Sequence, residues 1–127
     1  MKCLVITGVS KRTLDEIIKR IIKTIELRSA HNVVTAFKAV EGSNVFLTTS
    51  KLHDIDKGTV GIIAEVVKKE ITSHSLIFAS EIQESEMTVI KLKLNVKGLG
   101  RIVRVYNTDI LGITEAEVIE VNYFNAR

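Results

Sequence analysis

The chain has 127 residues, of which 46% are hydrophobic and 26% are charged. This length suits one domain with one core, and the composition excludes a disordered chain, which combines low hydrophobicity with high net charge. The 18 Lys and Arg residues exceed the 15 Asp and Glu residues, so the formal charge of +3 favours anionic partners without requiring them.

The sequence gives no sign of export or membrane insertion. Cys3 is the sole cysteine, which excludes an intramolecular disulfide, and its apolar surroundings indicate a small buried side chain. The amino terminus lacks a signal peptide's apolar core and cleavage site, and no apolar run reaches the roughly 18 residues that cross a membrane. We therefore expect a cytoplasmic protein with no membrane partner.

The first part of the chain predicts a strand followed by a helix. The apolar run CLVITG predicts a first buried strand that ends at Gly8. Apolar residues at helical spacing between positions 14 and 22 predict the one strong amphipathic helix of the sequence. Thr13 and Glu16 stand at capping-box spacing and mark its expected start.

Period-two alternation follows the helix. The segment TIELR predicts a short strand with Thr24, Glu26 and Arg28 on one side. The next apolar segment, NVVTAFKAV, is open between a strand and a short helix. A turn at EGSN then leads into a strand at NVFLTTS.

The second half of the chain predicts strands throughout. TVGIIAEVVKKEI predicts a core strand with Gly61 at a bulge or close approach, and HSLIFASEI and EMTVIKLKLNV predict two more. A turn at Gly98-Leu99-Gly100 is expected to lead into RIVRVY, and AEVIEVNYF predicts a closing strand. One main helix and six or seven strands predict a mainly β (α+β) fold, a small closed or half-closed barrel forming one domain over residues 1–127.

No motif predicts catalysis, a metal or a cofactor. Cys3 has no nearby His, and the G-x-S-x-G pattern of a nucleophilic serine is absent. His53, Asp54 and Asp56 share one short loop, which favours a solvated loop over a metal site. The G-L-G at positions 98–100 is too short for a dinucleotide-binding fingerprint. We predict no catalytic residue, no bound metal and no cofactor.

A basic run without acidic residues lies at KLKLNVKGLGRIVR, positions 91–104. Its cations are Lys91, Lys93, Lys97, Arg101 and Arg104. We take these as the candidate nucleic-acid-binding residues, although the alternation with apolar residues favours a merely solvated sheet face over a phosphate-binding surface. No aromatic residue is interleaved among them, which disfavours a platform for base stacking.

The order of motifs in the first 70 or so residues resembles the ASCH domains of the PUA-like superfamily. The matching features are Lys23, Thr24, Glu26 and Arg28 in a K-T-x-E-x-R strand, then Gly42, residues 45–47, Ser50 and Lys51, and the strand GIIAEVV. The whole chain is also similar to an uncharacterised archaeal family of this size, a domain of unknown function. That second resemblance implies no function.

The ASCH resemblance implies a PUA-like pseudo-barrel whose first helix crosses one opening, with a cleft beside the K-T-x-E-x-R strand. Related domains use this cleft for RNA, modified bases or nucleosides. The candidate ligand-binding residues that it implies are Lys23, Thr24, Glu26, Arg28, Ser50 and Lys51. A Glu can accept a hydrogen bond from a base's exocyclic amine, and an Arg or Lys can pair with phosphate.

We therefore expect a non-catalytic binding module for RNA or a nucleotide-like ligand. Some ASCH proteins resemble small amidohydrolases that act on acetylated cytidine, so hydrolysis of a modified nucleoside stays open. In this sequence Glu26 replaces the second Thr of the K-T-x-T-x-R pattern, which removes that hydroxyl. A protein-interaction module with an exposed sheet edge is a third possibility, and the sequence leaves the oligomeric state open.

Overall fold

The computed structural model describes residues 1–78, 83–106 and 113–122, which contain six strands and two α-helices. In chain order the elements are β1 Lys2–Ile6, α1 Lys11–Ile18, β2 Thr24–Leu27, α2 Ala30–Lys38, β3 Asn44–Leu47, a 3-10 turn at Leu52–Asp54, β4 Val60–Phe78, β5 Gln83–Val105 and β6 Glu115–Val121. The prediction of a mainly β domain is confirmed for these residues. None of the helices described is both long and apolar enough to cross a membrane.

The strands form one sheet that closes on itself. Their order is β2-β5-β4-β3-β1-β6, and β6 also pairs with β5. β5, β4, β3, β1 and β6 therefore make a ring, and β2 lies alongside residues 90–93 of β5. β1 and β3 run parallel, whereas the other pairs are antiparallel. This arrangement leaves β2 as an edge strand beside the ring.

Two of the predicted strand boundaries are wrong. HSLIF continues β4, and β5 runs unbroken through the expected turn at positions 98–100; residues 79–82 and 123–124 of the predicted strands lie outside the described part of the chain. A Cβ on Gly100 would lie 2.7 Å from Cγ1 of Ile63 and 2.8 Å from Cγ1 of Val118. The glycine is needed for packing inside the ring, a reason that its local sequence does not reveal.

The close approach predicted at Gly61 is confirmed. A Cβ on this residue would lie 2.2 Å from the backbone oxygen of Leu47 on the neighbouring strand. Because that atom belongs to the backbone, it cannot move aside as a flexible side chain would. β3 and β4 can therefore pack at this point only with a glycine.

α1 begins and ends earlier than its sequence predicts. Its N-cap is Ser10, whose Oγ accepts a hydrogen bond from the Thr13 N–H at 3.1 Å, so the predicted start at Thr13 is wrong. The helix ends at Ile18, and Arg20 has a positive φ of 59° that turns the chain away. Ile21 consequently lies outside the core with 69% of its surface exposed, although its spacing fits the apolar face.

The ambiguous segment after β2 forms α2. Ser29 caps its start by accepting a hydrogen bond from the Asn32 N–H. At its other end the Lys69 Nζ donates to the carbonyl oxygens of Ala36, Phe37 and Ala39 at 3.3, 2.9 and 2.6 Å. The ammonium of β4 thereby satisfies carbonyl groups that the end of a helix leaves without partners.

The core is divided between the two faces of the ring strands. One cluster, which includes Ile6, Ile17 and Leu92, lies under the helices and β2. The other includes Cys3 and Phe46 and lies among β1, β3, β4, β5 and β6. Cys3 is buried as predicted, and its removal from water raises the pKa of its thiol from 9.0 to about 11.

Candidate ligand-binding cleft

A cleft of about 640 Å³ opens where the ends of β1 and β2 meet the starts of both helices. Residues 7–10 connect β1 to α1, and Arg28 and Ser29 connect β2 to α2. Because both connections are short, the N-termini of the two helices lie at the same opening. Their N–H groups give this end of the fold a partial positive charge.

The structure brings four of the six ligand-binding candidates to this cleft. Thr24, Glu26 and Arg28 line it from β2 and the residue after it, and Lys51 lines it from the loop after β3. The period-two prediction for this strand is confirmed, since Ile25 and Leu27 are buried and the polar residues between them are exposed.

The other two candidates lie elsewhere. Lys23 lines a second, smaller cavity of about 260 Å³, which lies on the side of β2 away from the cleft. Ser50 contributes its backbone, because its carbonyl oxygen accepts a hydrogen bond from the Gly8 N–H at 2.9 Å. Ser50 thereby holds the β1–α1 connection in place at the floor of the cleft, without its side chain lining the cavity.

The carboxylate of Glu26 is paired with two cations. Its Oε2 accepts a hydrogen bond from Nη2 of Arg28 at 2.8 Å, and its Oε1 lies 3.6 Å from Nζ of Lys91. The Arg28 hydrogen bond is the main reason that the pKa of the Glu26 carboxyl falls below its usual value, with Lys91 adding to the effect. Glu26 is therefore ionised at neutral pH, which makes it a hydrogen-bond acceptor and a poor proton donor.

Three residues that the sequence analysis did not single out line the cleft wall. Thr7 follows β1, and His31 and Asn32 lie in the first turn of α2. The Asn32 side chain accepts from the Thr7 N–H at 3.0 Å and donates to the Thr7 carbonyl at 2.8 Å. Ser is a favoured N-cap residue, so Ser29 was the sequence signal for the helix that brings His31 and Asn32 to the cleft.

His31 lines the cleft and has one ring nitrogen without a partner in the described part of the chain. Its Nδ1 lies 3.5 Å from Oγ1 of Thr7, whereas its Nε2 is buried and has no hydrogen-bond partner among the described residues. A buried polar atom without a partner costs about 1 to 3 kcal/mol. The imidazole can either donate or accept there, according to its tautomer.

The basic residues of β5 are distributed along the whole length of the strand. Lys91 and Lys93 lie beside β2, where they pair in register with Glu26 and Thr24. The Lys97 Nζ lies 3.5 Å from Glu65, Arg101 lies opposite Ile119 of β6, and the Arg104 guanidinium lies 5.3 Å from the Tyr106 ring centre. Only the first two of the five adjoin the cleft strand.

The predicted solvated loop at positions 51–56 exposes His53, Asp54 and Asp56. Within residues 1–78, 83–106 and 113–122, no three His, Cys, Asp or Glu side chains are grouped as metal ligands. The sequence-based expectation that the protein holds no metal stays a prediction.

Fold and cleft together define a small, mainly β domain with a partly cationic cleft beside its edge strand. The chain belongs to the family described as "Protein of unknown function (DUF473)", whose model matches residues 1–116. It is similar to the uncharacterized protein MJ0105 of Methanocaldococcus jannaschii, with 25% identity over 104 residues, 82% of this chain and 66% of that protein. The matched part is thus just under two thirds of the relative's length.

These comparisons confirm the predicted similarity to an uncharacterised family with an archaeal relative. The likeness to ASCH domains rests on the motif order alone and stays a prediction.

Proposed function

We propose that this protein is a non-catalytic binding module with an ASCH-like, PUA-like fold that takes RNA or a nucleotide-like ligand in the cleft. The main support is the convergence of Arg28, Lys51 and His31 on one opening of about 640 Å³. That volume lies within the range of about 300 to 1,000 Å³ typical of small-molecule sites and suits one nucleotide.

Phosphate is the ligand group that the cations of the cleft fit best. Arg28 keeps 63% of its side chain exposed and uses one Nη atom on Glu26, so other N–H groups of its planar fork remain for a phosphate. Lys51 adds a second cation from the opposite wall. The N–H groups at the starts of α1 and α2 favour the same negative charge.

Glu26 is the group that we assign to the base. Its carboxylate is ionised and can accept a further hydrogen bond while paired with Arg28 and Lys91. Adenine and cytosine carry an exocyclic amine that donates, whereas uracil carries none. We therefore favour recognition of an amine-bearing base.

Binding accounts for this site better than hydrolysis of an acetylated nucleoside does. A hydrolase needs a nucleophile or a proton donor at the reacting bond. The hydroxyl of the K-T-x-T-x-R pattern is replaced by Glu26, and the lowered pKa of that carboxyl disfavours proton donation. A nucleotide ligand also agrees with the cytoplasmic location expected from the sequence.

A titration with adenosine monophosphate and short RNAs at two salt concentrations tests this proposal. In Arg28→Glu we expect affinity to fall by at least about tenfold, because a charge-assisted hydrogen bond is replaced by repulsion. Lys57→Glu is the matched control. Lys57 is exposed in the turn where the Gly58 N–H donates to the Ile102 carbonyl, far along β5 from β2, and the variant should bind as the wild type does.

The result against the proposal is absence of binding by the wild-type protein, or equal losses in Arg28→Glu and Lys57→Glu. Equal losses would mean that only the net charge matters and that the cleft is not the site. Turnover of N-acetylcytidine would instead move the hydrolase alternative to the front.

A further inference from the structure

We propose that the far side of β2 is a second phosphate-binding surface, so that the ligand is a nucleic-acid strand of several nucleotides rather than a free nucleotide. This inference rests on the proposed function, because it extends the ligand of the cleft across β2. We call the surface the cationic track and define it by Arg20, Lys23, Lys68 and Lys93.

The track consists of two cavities that share lining residues with the cleft. The first, of about 260 Å³, has Arg20, Lys23 and Lys93 around a floor that includes Ile17 and Leu94. The second, of about 200 Å³, is lined by Lys68, Lys91 and Lys93 together with Thr24 and Glu70.

Three shared residues connect these openings. Lys93 lines both cavities of the track, Thr24 lines the second cavity and the cleft, and Ile22 lines the first cavity and the cleft. A chain leaving the cleft over β2 therefore meets the track without crossing another element.

Two lysines of the track lie directly opposite each other on neighbouring strands. Lys68 of β4 pairs in register with Lys93 of β5, and both line the same cavity. Like charges directly opposite in an antiparallel pair repel each other and destabilise the sheet. A phosphate between them would remove that repulsion, which is why this pair favours an anionic ligand over open solvent.

The acidic residues near the track do not neutralise it. Lys68 pairs with Glu70 at 3.1 Å, and both side chains are more than half exposed, so the pair can exchange for a phosphate. Arg20, Lys23 and Lys93 form no ion pair with any residue in the described ranges 1–78, 83–106 and 113–122. The track therefore has three unpaired cations and one exchangeable cation.

Arg20 occupies a backbone position that favours glycine. Its φ of 59° lies in the left-handed region, where the end of a helix usually has Gly. An arginine there carries a free-energy cost and places its guanidinium at the rim of the first cavity. Such a cost is typical of functional positions, and the structure pairs it here with a cationic cavity.

The track is wide enough for more than one phosphate. Thr24, Lys93 and Lys68 are neighbours in register on three successive strands. Strands lie about 4.8 Å apart, so this row spans roughly 10 Å. The row therefore extends beyond the size of a single phosphate group.

The test compares adenosine monophosphate with oligoadenylates of two, four and eight nucleotides. For the wild type we expect the eight-nucleotide RNA to bind at least tenfold more tightly than the mononucleotide. In Lys68→Gln/Lys93→Gln that advantage should be lost, while mononucleotide binding stays unchanged. The slope of log affinity against log salt should fall by about 1.4 for two phosphates of a single strand.

Lys57→Gln/Lys97→Gln is the matched control, with the same change of charge on parts of the chain away from β2, and it should keep the length dependence. Oligodeoxyadenylates should show the same dependence, because the track contacts phosphates. If the wild type binds the mononucleotide and the eight-nucleotide RNA equally well, the track is refuted and the proposed function stands. If neither binds, both are refuted.

Discussion

Asn32 hydrogen bonds to both backbone polar groups of Thr7. Its Oδ1 accepts from the Thr7 N–H at 3.0 Å, and its Nδ2 donates to the Thr7 carbonyl at 2.8 Å. The carboxamide thus forms the two backbone hydrogen bonds that a neighbouring strand would form where β1 ends. Asn32 is only 8% exposed. It fixes the start of α2 against β1 and so sets the width of the cleft.

Replacing Asn32 with Leu should therefore destabilise the protein. The substitution leaves the buried N–H and carbonyl of Thr7 without their partner, and each unsatisfied group costs about 1 to 3 kcal/mol. Urea unfolding followed by circular dichroism measures the change. Asn95→Leu, at an exposed position on β5, is the control and should stay within about 0.5 kcal/mol of the wild type. Similar values for both variants would contradict the role assigned to Asn32.

Lys69 should stabilise the end of α2. Its ammonium contacts three carbonyl oxygens there, so Lys69→Met should lower the free energy of unfolding by about 1 to 2 kcal/mol. Lys68→Met, the adjacent lysine on the opposite face of β4, is the control. It should be neutral or slightly stabilising, because it removes the repulsion from Lys93. A larger loss for Lys68→Met than for Lys69→Met would refute this account.

Glu26→Gln should change which bases are bound. The variant keeps one acceptor oxygen but loses the negative charge that strengthens a hydrogen bond from an exocyclic amine, and it frees Arg28 and Lys91 from their shared ionised partner. We expect binding of adenine and cytosine oligomers to weaken relative to uracil oligomers by about tenfold, the effect of one charge-assisted hydrogen bond. Affinities for the three homopolymers, measured side by side, give this ratio. An unchanged ratio would show that Glu26 does not contact the base.

Arg20→Gly should stabilise the protein and weaken its binding of RNA. Glycine adopts a positive φ without strain, so the free energy of unfolding should rise by up to about 1 kcal/mol. The same variant should bind the eight-nucleotide RNA more weakly and the mononucleotide as before. Arg20→Lys keeps the charge and separates the two effects. Unchanged binding by Arg20→Gly would remove this residue from the track.

The ionisation of Cys3 should lower the free energy of unfolding in alkaline solution. Burial raises the pKa of its thiol from 9.0 to about 11, so the folded protein keeps a proton that the unfolded chain releases. Its contribution is fully present below pH 9 and is lost as the pH rises from 9 to 11. The wild type should therefore lose more stability between pH 8 and pH 10.5 than Cys3→Val does. Equal losses would mean that the thiol titrates normally.

The sequence predicted the features that depend on local patterns. The strand at TIELR was found because its two apolar residues alternate with polar ones, and the burial of Ile25 and Leu27 confirms it. The close approach at Gly61 could be predicted because a glycine inside a strand usually marks a bulge or a point where another backbone comes close. Three of the four candidates that line the cleft, Thr24, Glu26 and Arg28, belong to this alternating segment and lie together for the same reason.

Features that depend on distant contacts escaped the sequence analysis. Gly100 was taken for a turn, since nothing nearby shows that Ile63 and Val118 pack against it. His31 and Asn32 reach the cleft only because α2 forms and docks on β1, and their segment was ambiguous. The different neighbours of the basic residues at positions 91–104 were also not predictable, since Lys91 and Lys93 lie beside β2 whereas Arg101 lies opposite Ile119 of β6.

Nuclear magnetic resonance would test the central claim most directly, by following the backbone amide signals of ¹⁵N-labelled protein as adenosine monophosphate is added. Occupation of the cleft should shift the signals of residues 7–10 and 28–32 and leave those of β6 unchanged. Shifts confined to β6, or none at millimolar nucleotide, would contradict a nucleotide site in the cleft.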